Sequence, residues 1–137
     1  MTEEEARVAQ LVREAFQGVT LGNGVGLRQG QGLDDYEDAA TRAALRLSDE
    51  KDDWTNISGA DLNRCYSSLS FFDAEGMRFH LPAYLIADLE GTFDHDMDFH
   101  LFYFESGEDE RFRLLNEEQR DAIRQFLLLR ELNGDCV

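Results

Sequence analysis

Apolar positions recur at helical spacing over most of this chain. Thr2 and Glu5 have the spacing of a capping box, and Val8, Leu11, Val12, Ala15 and Phe16 follow on one face before Gly18. The pattern predicts an amphipathic first helix with its apolar stripe on a core. Asp34, with Glu37 three residues later, predicts the start of a second helix carrying Tyr36, Ala40, Ala43, Ala44 and Leu47 on its inner face. Ser58 with Asp61 predicts a third, buried through Leu62, Cys65, Tyr66 and Leu69. Between the second and third runs, Ser48–Asp53 reads as a charged loop that ends at Trp54, a residue expected to lie over the core.

The densest apolar stretch is Ser68–Leu85, SLSFFDAEGMRFHLPAYL. Asp73 can cap one short helical turn, Ala74 to Phe79. Pro82 disfavours helix at Leu81 and suits the first turn of a new helix, filled by Tyr84, Leu85, Ile86 and Leu89 and stopped at Gly91. The segment predicts a buried corner with Phe71, Phe72, Met77, Phe79 and Leu81 inside. Further on, Phe99–Phe104 and Arg111–Leu115 flank a Ser-Gly-Glu-Asp turn; such short apolar runs fit either two antiparallel strands or helix. Asn116 and Gln119 then form a capping pair for a last helix through Ala122, Ile123, Phe126, Leu127 and Arg130, with Asn133-Gly134 as its stop. The fold class expected is mainly α: a single domain over residues 1–137, with about five helices around one core. A small antiparallel β-hairpin over 99–115 stays open.

Trp54, the segment LSFFDAEGMRFHLPAYL and the helix start Phe112-x-x-Leu115-Asn116-x-x-Gln119-Arg120 together carry a resemblance. Over roughly residues 10–130 the chain is similar to a bacterial family of small soluble proteins of unknown function. That resemblance implies a mostly helical domain and a bacterial source. It brings no activity and no catalytic residue with it.

Charge narrows the partners. The 137 residues hold 29 acidic and 13 basic side chains, a formal net charge of −16. Such a field repels phosphate backbones and disfavours nucleic acid, while it favours basic proteins or cations. Carboxylates gather at Asp34-Asp35, Glu37-Asp38, Asp49-Glu50 and Asp52-Asp53, around the second predicted helix. Folded onto one side they would make a docking face for a basic partner; otherwise they are solvated helix ends. No stretch has the length and hydrophobicity of a membrane span, and the acidic start MTEEEARVAQ lacks the features of a signal or transit peptide, so a cytoplasmic location is expected. The two cysteines, Cys65 and Cys136, fit a reducing compartment: Cys65 as a core residue, Cys136 on the tail.

Candidate chemistry is sparse. Residues 18–32 hold six glycines, but a dinucleotide fingerprint starting at Gly22 or Gly24 would need its third glycine at Leu27 or Gln29, and no Gly-Lys-Ser/Thr ending is present. An irregular connection lying close to the body is expected there, with no cofactor implied. Asp94, Asp96 and Asp98 occupy positions 1, 3 and 5 of a twelve-residue calcium loop, with Glu105 at position 12, but Phe99 stands where the turn demands glycine. A looser divalent-cation site would use Asp94, His95, Asp96, Asp98 and His100. His80, next to Phe79 and Leu81, reads as a core-edge imidazole. A Cys65–His80 pair, or a serine at 67, 68 or 70 with a histidine, lacks any supporting nucleophile motif.

Two functions of different kinds remain. One is a non-catalytic interaction module for a basic protein, of the immunity or antitoxin type that blocks a basic toxin. The other is a metal-binding protein or metal-dependent enzyme built on the 94–100 loop.

Overall fold

The computed structural model describes residues 1–134, with side chains through Glu131. Cys136 lies outside them. Seven α-helices make up the described residues: α1 Glu3–Ala15, α2 Leu27–Asp34, α3 Ala39–Ser48, α4 Gly59–Arg64, α5 Ala74–Leu89, α6 Asp98–Leu101 and α7 Glu117–Gly134. Short 3₁₀ turns at Trp54–Asn56, Tyr66–Ser70, Phe104–Ser106 and Glu110–Phe112 join them, and no strand occurs among the described residues.

α5 is the axis of the molecule. Thirteen of its 16 residues are buried, on every side of the helix, as expected for a helix enclosed by others. Asp73 caps it through Gly76 N–H at 2.9 Å. The helix runs through Pro82 without a break, so the expected corner at Leu81 is absent. The proline forfeits one backbone hydrogen bond, a cost of about 3 kcal/mol in an exposed helix. Met77, Phe79, Leu81, Tyr84 and Leu85 are all fully buried on either side of it, and complete burial of each large side chain contributes about 1.5–3 kcal/mol. Packing wins over the local breaker. The far end closes in a Schellman motif: Gly91 has φ +77°, Thr92 N–H bonds Ala87 O at 2.9 Å and Gly91 N–H bonds Asp88 O at 3.1 Å.

α1 packs against both α5 and α7. Its capping box forms as expected, with Glu5 N–H on Thr2 Oγ1 and Thr2 N–H on Glu5 Oε1. Two distant side chains satisfy carbonyls at its other end. Trp54 Nε1–H donates to Phe16 O at 2.9 Å, and Gln119 Nε2–H donates to Ala15 O at 3.1 Å. Trp54 is therefore a bolt as well as a cover. Gln119 also accepts from Asn116 N–H, so the cap of α7 is part of its joint with α1.

The glycine-rich connection is the first large departure from expectation. Part of it is helix α2, and its glycines are contact points. A Cβ on Gly30 would lie 2.9 Å from Ser68 Cβ, and one on Gly24 would lie 2.6 Å from Gly76 N. The missing N-cap side chain of Gly26 is replaced from a distance. Asp49 accepts from Arg28 N–H at 2.8 Å and Gln29 N–H at 3.2 Å. Burial, the largest influence, raises the Asp49 pKa even though those two N–H groups, Arg28 and Lys51 act to lower it.

α3 starts later than Asp34 predicted. Asp34 closes α2, and Asp38 caps α3 through Thr41 N–H at 2.7 Å. Its expected inner face is outside: α3 has no buried residue, Leu47 is 82% exposed and Tyr36 is 95% exposed. Tyr66 and Phe71, also expected inside, are exposed as well.

The hairpin over 99–115 does not form either; α6 and two 3₁₀ turns occupy that stretch. Met97, Leu101, Phe104 and Phe112 are the buried anchors. Strand alternation would have turned Phe99, Leu101 and Tyr103 to one face. The helical spacing buries 97, 101 and 104 instead and leaves Phe99, Phe102 and Tyr103 outside.

Candidate functional site

Residues 93–108 follow the end of α5, and this stretch touches the 3₁₀ turn at Tyr66–Ser70 through His95 and Tyr66. Asn63 fixes the start of this stretch: its Oδ1 accepts from Asp94 N–H at 2.8 Å and its Nδ2–H donates to Thr92 O at 2.7 Å. His95 lies flat on Tyr66, with ring centroids 4.1 Å apart and planes 17° from parallel. Asp96 Oδ1 accepts from Asp98 N–H at 2.8 Å, which opens α6. Arg111 then clamps the layers. Its guanidinium donates to Leu69 O at 2.8 Å, to His100 O at 3.4 Å and to both oxygens of Asp109.

Several of the expected cation ligands take up other contacts here. Positions 5 to 8 of the calcium-loop pattern are α6 itself, so the sharp turn needed at position 6 is absent. Glu105 is ion-paired with Arg124. Among the described residues, no three His, Cys, Asp or Glu side chains converge as a metal would require. His95 is committed to its stack. His100 has a buried Nδ1 without a hydrogen-bond partner among the described residues, and burial followed by the charge of Arg111 lowers its pKa.

Among the described residues, no hydrogen bond joins the nucleophile candidates Cys65 and His80. Cys65 is buried and its thiol is pushed up to about 11, chiefly by burial, so it is not a thiolate near neutral pH. His80 is entirely enclosed, stacked on Phe72 at 4.4 Å. Its Nδ1 lies 2.7 Å from Gly76 O, which can only accept, so that nitrogen carries the proton and Nε2 has no partner. Ser68 spends its hydroxyl on Leu27 O. Two clefts of about 490 and 500 Å³ meet at Arg13, Trp54 and Thr55, and among the described residues no histidine or cysteine lines either.

The carboxylate clusters at residues 34–53 are largely consumed by the fold. Asp38, Asp49 and Asp53 cap helices or turns, and Glu50 accepts from the N–H groups of Asp52 and Asp53.

What stands out instead is aromatic surface. Phe99 is 77% exposed, Phe102 75% and Tyr103 61%. Phe99 and Phe102 are three residues apart along α6 and its C-cap, so they share a face. Phe102 and Tyr103 meet edge to face at 4.9 Å. The exposed Tyr66–His95 stack adjoins the same stretch of chain. Asp94 and Asp98 alternate with these rings along the chain, and among the described residues neither carboxylate makes a hydrogen bond or ion pair. Single exposed apolar residues need no explanation, but a cluster of rings beside free carboxylates does. The sequence pointed to the aspartates and histidines of this segment. It hid the phenylalanines, because a short aromatic run reads as buried strand.

A family model described as a family of unknown function (DUF6714) matches residues 4–135. No curated protein and no solved structure matches the chain.

Proposed function

The chain belongs to that family, and from this premise we propose that it is a non-catalytic interaction module for a basic protein, which docks on the surface around α6. The exposure of Phe99, Phe102 and Tyr103, with Asp94 and Asp98 unpaired among the described residues, carries this reading. Large aromatic side chains dominate the energetics of protein interfaces, because they lose much apolar area for little conformational entropy. The carboxylates around them supply the second component. Complementary charge accelerates encounter and discriminates against acidic competitors. A protein that masks a basic toxin, in the manner of an immunity protein or antitoxin, would use such a surface.

The test is a comparative capture experiment in a lysate of the source cell. Immobilised wild-type chain is set beside F99S/F102S/Y103S, whose side chains are exposed and whose fold is checked by circular dichroism. The reading expects a basic protein, identified by mass spectrometry, that the wild type retains and the triple variant loses. Equal retention by both, or retention of acidic proteins only, would overturn it.

A further inference from the structure

We infer that the partner is recognised through arginine side chains, with guanidinium groups stacked on the rings around α6 and hydrogen-bonded to Asp94 and Asp98. This inference rests on the interaction-module reading and deepens it.

The chain's own chemistry supports it. Three phenylalanines of this chain each have an internal guanidinium over the ring: Arg111 over Phe112 at 5.3 Å, Arg120 over Phe104 at 5.6 Å and Arg130 over Phe126 at 5.5 Å. Two of these arginines pair with an aspartate as well, Arg111 with Asp109 and Arg130 with Asp88. A ring face plus a carboxylate thus holds two of this chain's guanidinium groups. Those three rings are buried. Among the described residues, no cation lies over the outer rings, Phe99, Phe102 and the Tyr66–His95 pair, and Asp94 and Asp98 have no counter-ion.

Arginine fits this arrangement better than lysine. Its planar head can lie on a ring while its edge gives two parallel N–H bonds to a carboxylate, and it is less strongly hydrated than an ammonium group. Lysine must choose between the ring and the acid, and loses more hydration at either. Bulk charge attraction is equal for the two. Discrimination between them therefore reports on stacking geometry, not on the net charge of −16.

The experiment uses two synthetic peptides of equal length and charge, one alternating arginine with glycine and the other lysine with glycine. Binding to the full chain is followed by isothermal calorimetry at near-physiological salt. The wild type is expected to bind the arginine peptide roughly fivefold or more tightly than the lysine peptide, the scale of one to two exposed cation–π contacts. F99S/F102S should bring the two affinities together while keeping the charge-driven part. D94N/D98N should weaken both. Equal affinities for wild type, or no binding of the arginine peptide, overturn the arginine inference. The interaction reading then still stands or falls separately, on whether F99S/F102S/Y103S loses the captured basic protein.

Discussion

Tyr36 holds a left-handed backbone, φ +58°, at the C′ position of α2. Glu37 N–H bonds Gly32 O at 2.9 Å and Tyr36 N–H bonds Leu33 O at 3.3 Å, the pair of bonds that a glycine usually makes possible. A residue with a Cβ loses about 1 kcal/mol in this conformation. The exposed ring returns no packing energy to offset it. Tyr36→Gly is therefore expected to stabilise the fold by about 1 kcal/mol, seen as a higher urea midpoint at unchanged slope. Loss of stability would mean that the ring has a packing role. His80 acts in the opposite direction, through pH. Burial lowers its pKa from 6.5 to about 4, so the unfolded chain binds a proton that the folded chain refuses. The stability associated with neutral His80 is complete above pH 6.5. It is lost progressively as pH falls through 6.5 to 4, by about 3 kcal/mol at the limit. Carboxylates titrate in the same window, so the diagnostic quantity is a difference between two proteins. His80→Gln should be less stable at neutral pH, yet its unfolding free energy should fall less steeply between pH 7 and 4. Parallel slopes would show that His80 is not the group responsible.

At the scale of elements, the glycines of the 18–32 connection set the fit between α2 and its neighbours. A Cβ on Gly76 of α5 would lie 2.7 Å from Val25 O, and one on Gly24 would lie 2.6 Å from Gly76 N. Backbone meets backbone there, so nothing flexible can move away. Gly76→Ala is expected to cost about 1–3 kcal/mol, although alanine has the higher helix propensity. Gly59, the first residue of α4, is the control. A Cβ there meets Thr92 Oγ1 at 3.4 Å, an ordinary contact, and Gly59→Ala should stay within about 0.5 kcal/mol of wild type. Urea melts of the two variants decide the matter, and equal effects would remove the packing argument. This is also where the sequence was hard to read. The caps at Thr2, Ser58, Asp73 and Asn116 were legible because each is a local hydrogen-bond pattern. α2 was not, because glycine has nearly the poorest helix propensity and the helix exists only against Ser68, Leu45 and Asp49. The continuity of α5 through Pro82 was hidden for the same reason: burial on all sides, which no local pattern records, outweighs the breaker. The candidate surface was half visible. Its aspartates and histidines drew notice as cation ligands, whereas the rings only acquire meaning once Met97, Leu101 and Phe104 are known to be the inward positions.

The whole molecule carries an imbalance that its internal ion pairs do not remove. With 29 acidic and 13 basic residues, pairing every cation would still leave 16 negative charges on one small body. Arg124 alone is shared among Glu105, Glu117 and Asp121, and Arg130 between Glu5 and Asp88. The excess repels itself in the folded state more than in the expanded chain, so screening should favour folding. Added salt also weakens the exposed pairs, but each of those contributes only about 0–1 kcal/mol and the larger effect is relief of the net repulsion. The melting temperature is thus expected to rise between low salt and about 0.5 M sodium chloride, where the Debye length has shrunk well below the width of the molecule. The same screening should act in reverse on docking, slowing association with a basic partner as salt increases, while dissociation, governed by the rings of Phe99, Phe102 and Tyr103, changes little. A melting series and a stopped-flow series over one set of salt concentrations separate the two effects. In F99S/F102S/Y103S the thermal response should be retained, since no charge has changed, and dissociation should become faster. A melting temperature that falls with salt would mean that the arginine networks outweigh the net charge. Dissociation as sensitive to salt as association would place the binding energy in the carboxylates instead of the rings.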